Sequence, residues 1–436
     1  MATAMQNKFD FNWFWFGQTI STVGDRITRI ALPTVAVLSL HGGVFQVGVI
    51  AALGSLPFLL FGLIVGVWTD RLSKRSIMIA ADLGRMGVLA LVPIAYKAHF
   101  LSEDLLYAVA GVTATLSVFF NVAYQSYLPY LVGQEGIVEG QQKLSISGSG
   151  ANFVGSGIAG VLMQTLGNAL AVAVDSASFV ASILGLLVIK YREPAQEREE
   201  RGNGVLADMR EGLGVFIGDV RLRFLLLTTT LSDLAAAIAA TLIIVYAYKD
   251  AGLNQGEVSA TFAAGAIGLT LGGIFARKVS ARLTVSGTLT GSVVLIGAAI
   301  VLVPVAGTKL ALIALTACQF LIGLGTTVYG VNVMGLVLTI LPREVLGRAN
   351  GTALTVIWGT ATFGGMVAAV LGGLLGVRAA LVVAGVAGAA AALFIVLTPS
   401  LRAIRELPGK SGPPPGEDDE QTGGGEKGIQ ASLSES

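Results

Sequence analysis

Long apolar runs alternate with short polar segments along the whole chain. Twelve of these runs reach roughly 20 residues, the length that a helix needs to cross the hydrocarbon of a bilayer. They lie at about 14–40, 46–69, 76–96, 105–128, 144–167, 169–190, 222–248, 257–276, 284–305, 310–338, 350–374 and 378–398. Because chain in hydrocarbon must satisfy its backbone hydrogen bonds internally, each run predicts a membrane helix. We therefore expect an all-α membrane protein with twelve transmembrane helices.

Two parts of the first half have counterparts in the second half. Residues 70–75 carry four charges between the second and third runs, which predicts a turn outside the hydrocarbon, and we expect the similar charged segment at 273–282 to form the same turn in the second half. Gly24-Asp25 in the first run likewise corresponds to Ser232-Asp233 in the seventh. We predict two six-helix halves related by an axis along the membrane normal, with a polar site between them near the membrane midplane.

Composition agrees with a membrane protein. Hydrophobic residues make up 54% and charged residues 13% of the 436 residues, against roughly 45–50% and about 25% in soluble domains. The single cysteine, Cys318, lies in an apolar run, which excludes an intrachain disulfide and favours a packing role. The chain contains no phosphate-binding loop of the Gly-x-x-x-x-Gly-Lys-Ser/Thr kind, so we expect neither an ATP-driven pump nor an enzyme.

Lysine and arginine are concentrated in alternate polar segments, which predicts the orientation. The richer set contains the 70–75 segment, the linker between the halves and the C-terminal tail, and we place it in the cytoplasm with both termini. The predicted parts are an N-terminal bundle at 1–190, a cytoplasmic linker at 191–221, a C-terminal bundle at 222–400 and a disordered cytoplasmic tail at 401–436.

Three charged residues, Asp25, Arg26 and Arg29, lie close to the middle of the first predicted helix. Each costs at least about 2.5–3.5 kcal/mol on insertion scales, so they must face water or one another. Asp25 and Arg29 are four residues apart, on one helix face, and are able to pair. The group either couples transport to protons or forms a static ion pair. Asp233 is a second candidate for proton coupling or substrate contact.

Other polar residues in the runs are candidates for a cavity wall or for hydrogen bonds between helices, each of the latter contributing about 0.6 kcal/mol on average. They are Asn121, Tyr124, Gln125, Asn152, Tyr329 and Asn332. We expect Asp82 and Arg85, near the cytoplasmic end of the third helix, to belong to the cytoplasmic charge pattern. For Asp175 in the sixth helix we favour a structural role.

Several motifs resemble those of the Major Facilitator Superfamily, in particular its branch of macrolide-efflux proteins and enterobactin-type siderophore exporters. They are Gly66-x-x-x-Asp70-Arg71-x-x-Lys74-Arg75, Ile20-Ser21-x-x-Gly24-Asp25, Leu56-Pro57-Phe58, Ala80-Ala81-Asp82-Leu83-x-Arg85 and Phe120-Asn121-x-Ala123-x-Gln125-x-x-Leu128-Pro129. The resemblance implies twelve helices, alternating access and proton-driven export of a small amphiphile across a bacterial plasma membrane.

The same resemblance implies a gate at the segment that contains Gly66, Asp70, Arg71, Lys74 and Arg75. In it, Asp70 meets the N-terminal end of the eleventh helix, where a carboxylate is favoured by about 0.3–1 kcal/mol. Two positions depart from the family pattern. Ser156 stands where proline is usual in the fifth helix, and Arg277 replaces the acidic residue in the second charged segment, so only the N-terminal half is expected to form this latch.

The sequence thus predicts a secondary active exporter of a lipophilic small molecule, such as a macrolide-like drug, by proton antiport. The alternatives are siderophore or lysophospholipid export, or a membrane receptor or assembly factor that does not transport. We expect no cofactor besides the proton gradient, no bound metal, no nucleic-acid partner, and a monomer in the lipid bilayer.

Overall fold

The structure is a computed structural model and is helical. It describes residues 2–69, 72–189, 213–214, 216–341 and 343–402, and at 2–8, 63, 64, 66–69, 134, 135, 138, 343, 344 and 346–350 it describes the backbone alone. The long helices of the first half are α1 (Ala2–Thr34), α2 (Val44–Thr69), α3 (Lys74–Lys97), α4 (Glu103–Gly133), α5 (Glu139–Thr165) and α6 (Asn168–Val188). Those of the second half are α7 (Val220–Val245), α8 (Gln255–Leu283), α9 (Val285–Ala306), α10 (Ala311–Ile340), α11 (Arg343–Leu375) and α12 (Val377–Ala390).

Twelve long helices in the described ranges confirm the predicted fold class. Eleven helical segments of those ranges are long and apolar enough to cross a membrane by length and composition. The helix outside that set is α1, which carries Asp25, Arg26 and Arg29 within its apolar stretch. Helices α4 and α5 are connected by residues 134–138, which are also helical. The helical backbone is broken at Gly133, where φ is 68° and ψ is 168°.

The two ends of the bundle differ in charge. Helix α1 begins at the end that we call the basic end, where the described lysines and arginines are more numerous: Lys74, Arg75, Lys143, Arg221, Arg223, Arg277, Lys278, Arg282 and Arg402. Helix α1 finishes at the opposite end, which we call the far end and which carries Lys97, Lys249, Lys309 and Arg378. Because neighbouring helices run antiparallel, α1, α3 and α5 begin at the basic end and α2, α4 and α6 begin at the far end. The predicted linker at 191–221, apart from its last residues, and nearly all of the tail at 401–436 lie outside the described residues.

The internal repeat is most regular where α1 and α7 end. Each helix continues as a five-residue π-helical turn, Val35–Ser39 after α1 and Tyr246–Asp250 after α7. The backbone hydrogen bond from Leu40 to Val35 recurs as that from Ala251 to Tyr246, a step of 211 residues. Carried back along the two uninterrupted helices, this step relates Asp25 to Ala236. The predicted equivalence of Asp25 and Asp233 is therefore wrong by three residues.

The second charged segment also differs from its expected counterpart. Helix α2 ends at Thr69, whereas α8 continues through Arg277, Lys278 and Arg282 to Leu283 before a turn at Thr284. The sequence of this segment favours helix, since alanine, arginine, lysine and leucine have high helix propensity. Ser280 within it also donates a hydrogen bond to Asn332 of α10, at 2.6 Å. The prediction of a turn at 273–282 was wrong, because these residues extend the helix.

The two halves are in close contact at the far end. The hydroxyls of Thr34 and Tyr248 lie 3.0 Å apart, and Lys249 donates a hydrogen bond to the carbonyl of His41 at 3.1 Å. Helices α2 and α11 approach so closely that a Cβ on Gly365 would lie 2.7 Å from the carbonyl oxygen of Gly48. The halves are therefore joined at the far end, and the space between them is found nearer the basic end.

Candidate functional site

A cavity of about 1030 Å³ lies between the two halves. Its wall reaches Gln18, Tyr124 and Leu144, which occupy the basic-end portions of α1, α4 and α5. Since the far end is closed by the contacts described above, the cavity is accessible from the basic end.

Helix α1 provides the most polar part of the wall. Gln18, Thr22, Asp25, Arg26 and Arg29 all line the cavity. Gln18, Thr22, Asp25 and Arg29 follow one another at intervals of three or four residues and Arg26 is next to Asp25, so the five share one broad helix face. The side chain of Asp25 is 47% exposed. In the lining as the structure describes it, all charged residues belong to the N-terminal half, and they are Asp25, Arg26, Arg29, Arg85 and Asp175.

The guanidinium of Arg85, on α3, is the centre of a buried charge cluster. It donates a hydrogen bond to Asp82 on its own helix and lies 3.7 Å from Asp25 of α1. The rings of Phe120 and Phe179 each lie 4.4 Å from the guanidinium carbon, a distance at which the π faces attract the cation. The cluster thereby joins α1, α3, α4 and α6.

Neutral side chains extend this cluster towards the basic end. Ser182 donates a hydrogen bond to Asp82 at 2.6 Å, and Gln18 donates one to Ser182 at 2.8 Å. Both Asp82 and Arg85 are almost fully buried. Burial of charge is costly unless the groups are paired and hydrogen-bonded, and this network satisfies Asp82 on both carboxylate oxygens. Through Arg85, Asp25 is thus connected to side chains on several helices of the first half.

The C-terminal half forms an apolar wall. Its lining residues are mostly small, aliphatic or aromatic, with Gln319 and two threonines as the polar exceptions, and they are Ala237, Ala240, Thr241, Ile244, Phe262, Gly265, Leu269, Gln319, Ile322, Gly323, Thr326, Trp358 and Ala361. Trp358 of α11 stacks on Phe58 of α2, with ring centroids 4.0 Å apart. This stacked pair is an aromatic contact between the halves at the edge of the cavity.

The predicted cavity residues divide between the two halves. Asn121, Tyr124 and Asn152 line the cavity, whereas the exposed Gln125 does not. Tyr329 and Asn332 lie away from it. The Tyr329 hydroxyl is 2.8 Å from that of Thr229, and Asn332 accepts the hydrogen bond from Ser280 and donates one to Val328. In this conformation, these two side chains connect helices within the C-terminal half.

Asp233 lies outside the cavity lining but on the α7 face that contributes Ala237 to it, one turn nearer the basic end. Its side chain is partly exposed. No cation lies within 4 Å of it among the side chains that the structure describes. Asp233 is thus a single carboxylate next to the apolar wall, unlike Asp25 with its cluster.

Three predictions about charged residues need correction or refinement. The cation within ion-pair distance of Asp25 is Arg85 and not Arg29, because α3 packs on α4 and α6 and the long side chain of Arg85 reaches between Phe120 and Phe179 towards Asp25. Arg85 and Asp82 form the core of the cluster and do not belong to a surface charge pattern. Asp175 is fully buried, accepts a hydrogen bond from Ser178 and also borders the cavity, so it is both structural and close to the site.

The predicted gate is described only in part. Asp70 and Arg71 lie outside the described residues, and Gly66 is described only as part of helix α2. Lys74 is buried beneath the ring of Tyr130, with its ammonium 5.4 Å from the ring centroid. Arg75 donates a hydrogen bond to the carbonyl of Leu187 at 3.0 Å, which connects the start of α3 to α6. The role of this segment in gating stays a prediction.

A doubled bundle of twelve helices with a charged cavity between its halves defines a multi-pass membrane protein of the secondary-transporter class. The family model of the Major Facilitator Superfamily matches residues 14–357 and 225–427. The chain therefore belongs to the Major Facilitator Superfamily.

Two curated relatives are efflux proteins. The chain is 29% identical over 205 residues to the multidrug efflux pump Tap of Mycolicibacterium fortuitum, which covers 45% of this chain and 50% of that protein. It is 24% identical over 228 residues to macrolide efflux protein A of Streptococcus pyogenes, covering 51% and 55% respectively. The chain thus spans about half the length of the curated relatives it matches.

Solved transporters share the fold. The nucleoside transporter NupG, in a structure of a mutant, matches with a TM-score of 0.74 and 12% identity, over 91% of this chain and 99% of that one. An inward-facing bacterial homologue of the iron transporter ferroportin matches with a TM-score of 0.67 and 15% identity, over 88% and 98%. At these identities the matches establish the architecture only.

Proposed function

We propose that this protein is a secondary active efflux transporter that exchanges protons for a lipophilic small molecule by alternating access. The observation that carries the proposal is the carboxylate of Asp25, which is half exposed in the cavity while it lies 3.7 Å from the buried Arg85. A charge at this depth costs several kcal/mol. Its retention in a water-accessible cavity is explained by proton loading and release.

Protonation of Asp25 can be coupled to a conformational change because Asp25 belongs to the Arg85 cluster, which connects α1, α3, α4 and α6. When Asp25 is ionised, its charge stabilises Arg85, which also pairs with Asp82. When Asp25 is protonated, this attraction is lost and Arg85 depends on Asp82 alone. A proton therefore changes the relative free energy of packing arrangements, and a ligand that binds one arrangement better shifts the same equilibrium.

The charge distribution and the relatives support export from the bacterial cytoplasm. The positive-inside rule favours a cytoplasmic basic end, and with that orientation the cavity described above receives substrate from inside the cell. Both efflux relatives are exporters by name, which supports the same direction. We take the protein to act as a monomer with both termini in the cytoplasm.

The second candidate function is export of a siderophore or lysophospholipid, in which a larger polar group is carried on an apolar body. The division of the cavity into a charged and an apolar wall is compatible with it. A receptor or assembly factor without transport is the third candidate, and it gives no reason for an exposed charge cluster at this depth.

The test compares two carboxylates of similar depth. Cells that express the wild type, Asp25→Asn or Asp233→Asn are loaded with labelled erythromycin or dansyl-undecanoate and then energised. Asp25→Asn should abolish efflux of the transported compound and retain its binding, while Asp233→Asn should retain most of both. Full, protonophore-sensitive efflux by Asp25→Asn would refute the assignment of the proton to Asp25.

A further inference from the structure

Two cations in the cavity wall have no carboxylate within ion-pair distance in the described part of the protein. Arg26 and Arg29 both line the cavity. Arg29 is exposed, and Arg26 has a 3.4 Å contact from its Nε to the neutral hydroxyl of Ser156. No carboxylate among the described side chains lies within 4 Å of either guanidinium. The two arginines are three residues apart, so they face the same side of α1.

Arg85 shows how the same structure surrounds a cation that is paired within the protein. It is buried, two carboxylates lie within ion-pair distance, and two aromatic rings enclose it. Asp25 is the one exposed carboxylate in the described lining, and it is already shared with Arg85. The accessible surface of the charged wall therefore has an excess of positive charge at Arg26 and Arg29.

We infer that the cavity binds amphiphilic organic anions, with Arg26 and Arg29 holding a carboxylate or phosphate head group and the C-terminal wall holding the apolar body. This inference rests on the proposed transport function and narrows its substrate class. Guanidinium groups match the planar geometry of such oxyanions and form paired hydrogen bonds to them. A bound anion also supplies a counter-charge at ion-pair distance, which the described side chains do not give these arginines.

The opposite wall fits the rest of such a molecule. Ile322, Leu269 and Phe262 provide an apolar surface, and the stacked rings of Phe58 and Trp358 bound it. At about 1030 Å³ the cavity is at the upper end of the usual range for small-molecule sites. It therefore has room for a chain or ring system attached to the head group. A cationic drug would place its charge beside two arginines that lack a counter-charge among the described side chains.

The experiment measures charge preference without any proton gradient. The full chain in nanodiscs of zwitterionic phosphatidylcholine is titrated with dansyl-undecanoic acid and with its neutral carboxamide, and signal from empty nanodiscs is subtracted. Since hydrogen bonds to charged groups are worth more than neutral ones, we expect the wild type to bind the acid about tenfold more tightly than the amide. Equal binding of the two probes, or tighter binding of the amide, overturns the inference.

Variants locate the preference on α1. Arg29→Gln and Arg26→Gln should each reduce the ratio of acid to amide affinity to about twofold, with little change in binding of the amide. Arg29→Lys, which keeps the charge but loses the paired geometry, should lie between. The matched control is Arg282→Gln, an exposed arginine at the basic end and outside the cavity lining, which should leave the ratio unchanged. An unchanged ratio in both cavity variants contradicts the inference, and the comparison of probes on the wild type remains valid if a variant fails to fold.

Competition distinguishes the two sources of the anion. Displacement of the acid probe by dodecanoate assigns free carboxylate amphiphiles, and displacement by lysophosphatidic acid alone assigns a lipid phosphate. Displacement by neither compound overturns the inference. The result is independent of proton coupling. If the wild type exports erythromycin but does not prefer the acid probe to the amide, this inference alone is contradicted. If it prefers the acid but exports none of the compounds, the transport proposal alone is contradicted.

Discussion

The two halves of this protein share one architecture and differ sharply in the chemistry of the wall that each presents to the cavity. The N-terminal wall contains Asp25, Arg26, Arg29 and Arg85, while the described C-terminal wall has no charged residue. The buried hydroxyl and amide groups of Tyr329 and Asn332 are used between C-terminal helices instead. A duplicated bundle can thus assign charge recognition to one half and apolar contact to the other.

This asymmetry explains why the repeat is a poor guide to function here. The π-helical turns at the far end keep their hydrogen bonds across the 211-residue step, because they fix how α1 and α7 end. The position equivalent to Asp25 is Ala236, which has no ionisable group. Structural constraints have therefore been kept in both halves, whereas the ionisable groups that the structure describes at this level of the cavity belong to the first half.

The greatest loss of stability should come from breaking the charge cluster of the first half. Arg85→Gln leaves Asp82 buried without its cation, and removal of one partner from a buried ion pair typically costs about 3–5 kcal/mol. The free energy of unfolding in detergent should fall by that amount. The double variant Asp82→Asn/Arg85→Gln should recover much of the loss. A fall below about 1 kcal/mol for the single variant would show that the cluster adds little to stability.

A more moderate change is expected at the apolar wall. Trp358→Ala removes the ring that stacks on Phe58, and the lost stacking and burial should weaken binding of an apolar ligand about tenfold. The unfolding free energy should change less than for Arg85→Gln. Phe363→Ala is the matched control, since Phe363 lies on the same helix, is 56% exposed and is absent from the cavity lining. Equal losses of affinity in both variants would place the binding contribution outside the cavity.

The smallest effect is expected for the hydrogen bond that connects the two halves at the far end. Tyr248→Phe removes the hydrogen bond to Thr34, worth about 1 kcal/mol, which should shift the equilibrium towards opening of the far end about fivefold. Spin labels at Phe100→Cys and Leu310→Cys, both exposed at the far end, report the distance between halves. Tyr246→Phe is the control, because its hydroxyl contacts Val303 within one half. An identical distance distribution in all three proteins would show that this contact does not hold the state.

Much of the fold could be predicted from the sequence because spans in a bilayer have a required length and hydropathy. The twelve helices and the doubling follow from that requirement. The expectation that the three charges of α1 face water or one another follows from the cost of a charge in hydrocarbon. The role of Arg85 could not be predicted in the same way. Its pairing with Asp25 depends on how α3 is placed relative to α1 by the helices between them, and spacing along one helix does not contain that information.

One signal for Arg85 was nevertheless present. It lies 11 residues beyond Lys74, which is about 16 Å along a helix and roughly half of the hydrocarbon thickness. This depth alone indicates a mid-membrane cation that needs a partner. For Asp233 the difficulty was register, since two similar dipeptides were aligned without the helix ends that fix the true step between the halves.

Measuring the protons released when a ligand binds tests whether the proton-coupling carboxylate lies in the first half alone. Purified wild type, Asp25→Asn and Asp233→Asn are mixed in weakly buffered detergent solution with erythromycin or with dansyl-undecanoic acid, according to which of the two binds. A pH indicator then reports the protons released into solution. We predict release from the wild type and from Asp233→Asn, and none from Asp25→Asn. Undiminished release from Asp25→Asn, with release lost in Asp233→Asn, would contradict this assignment.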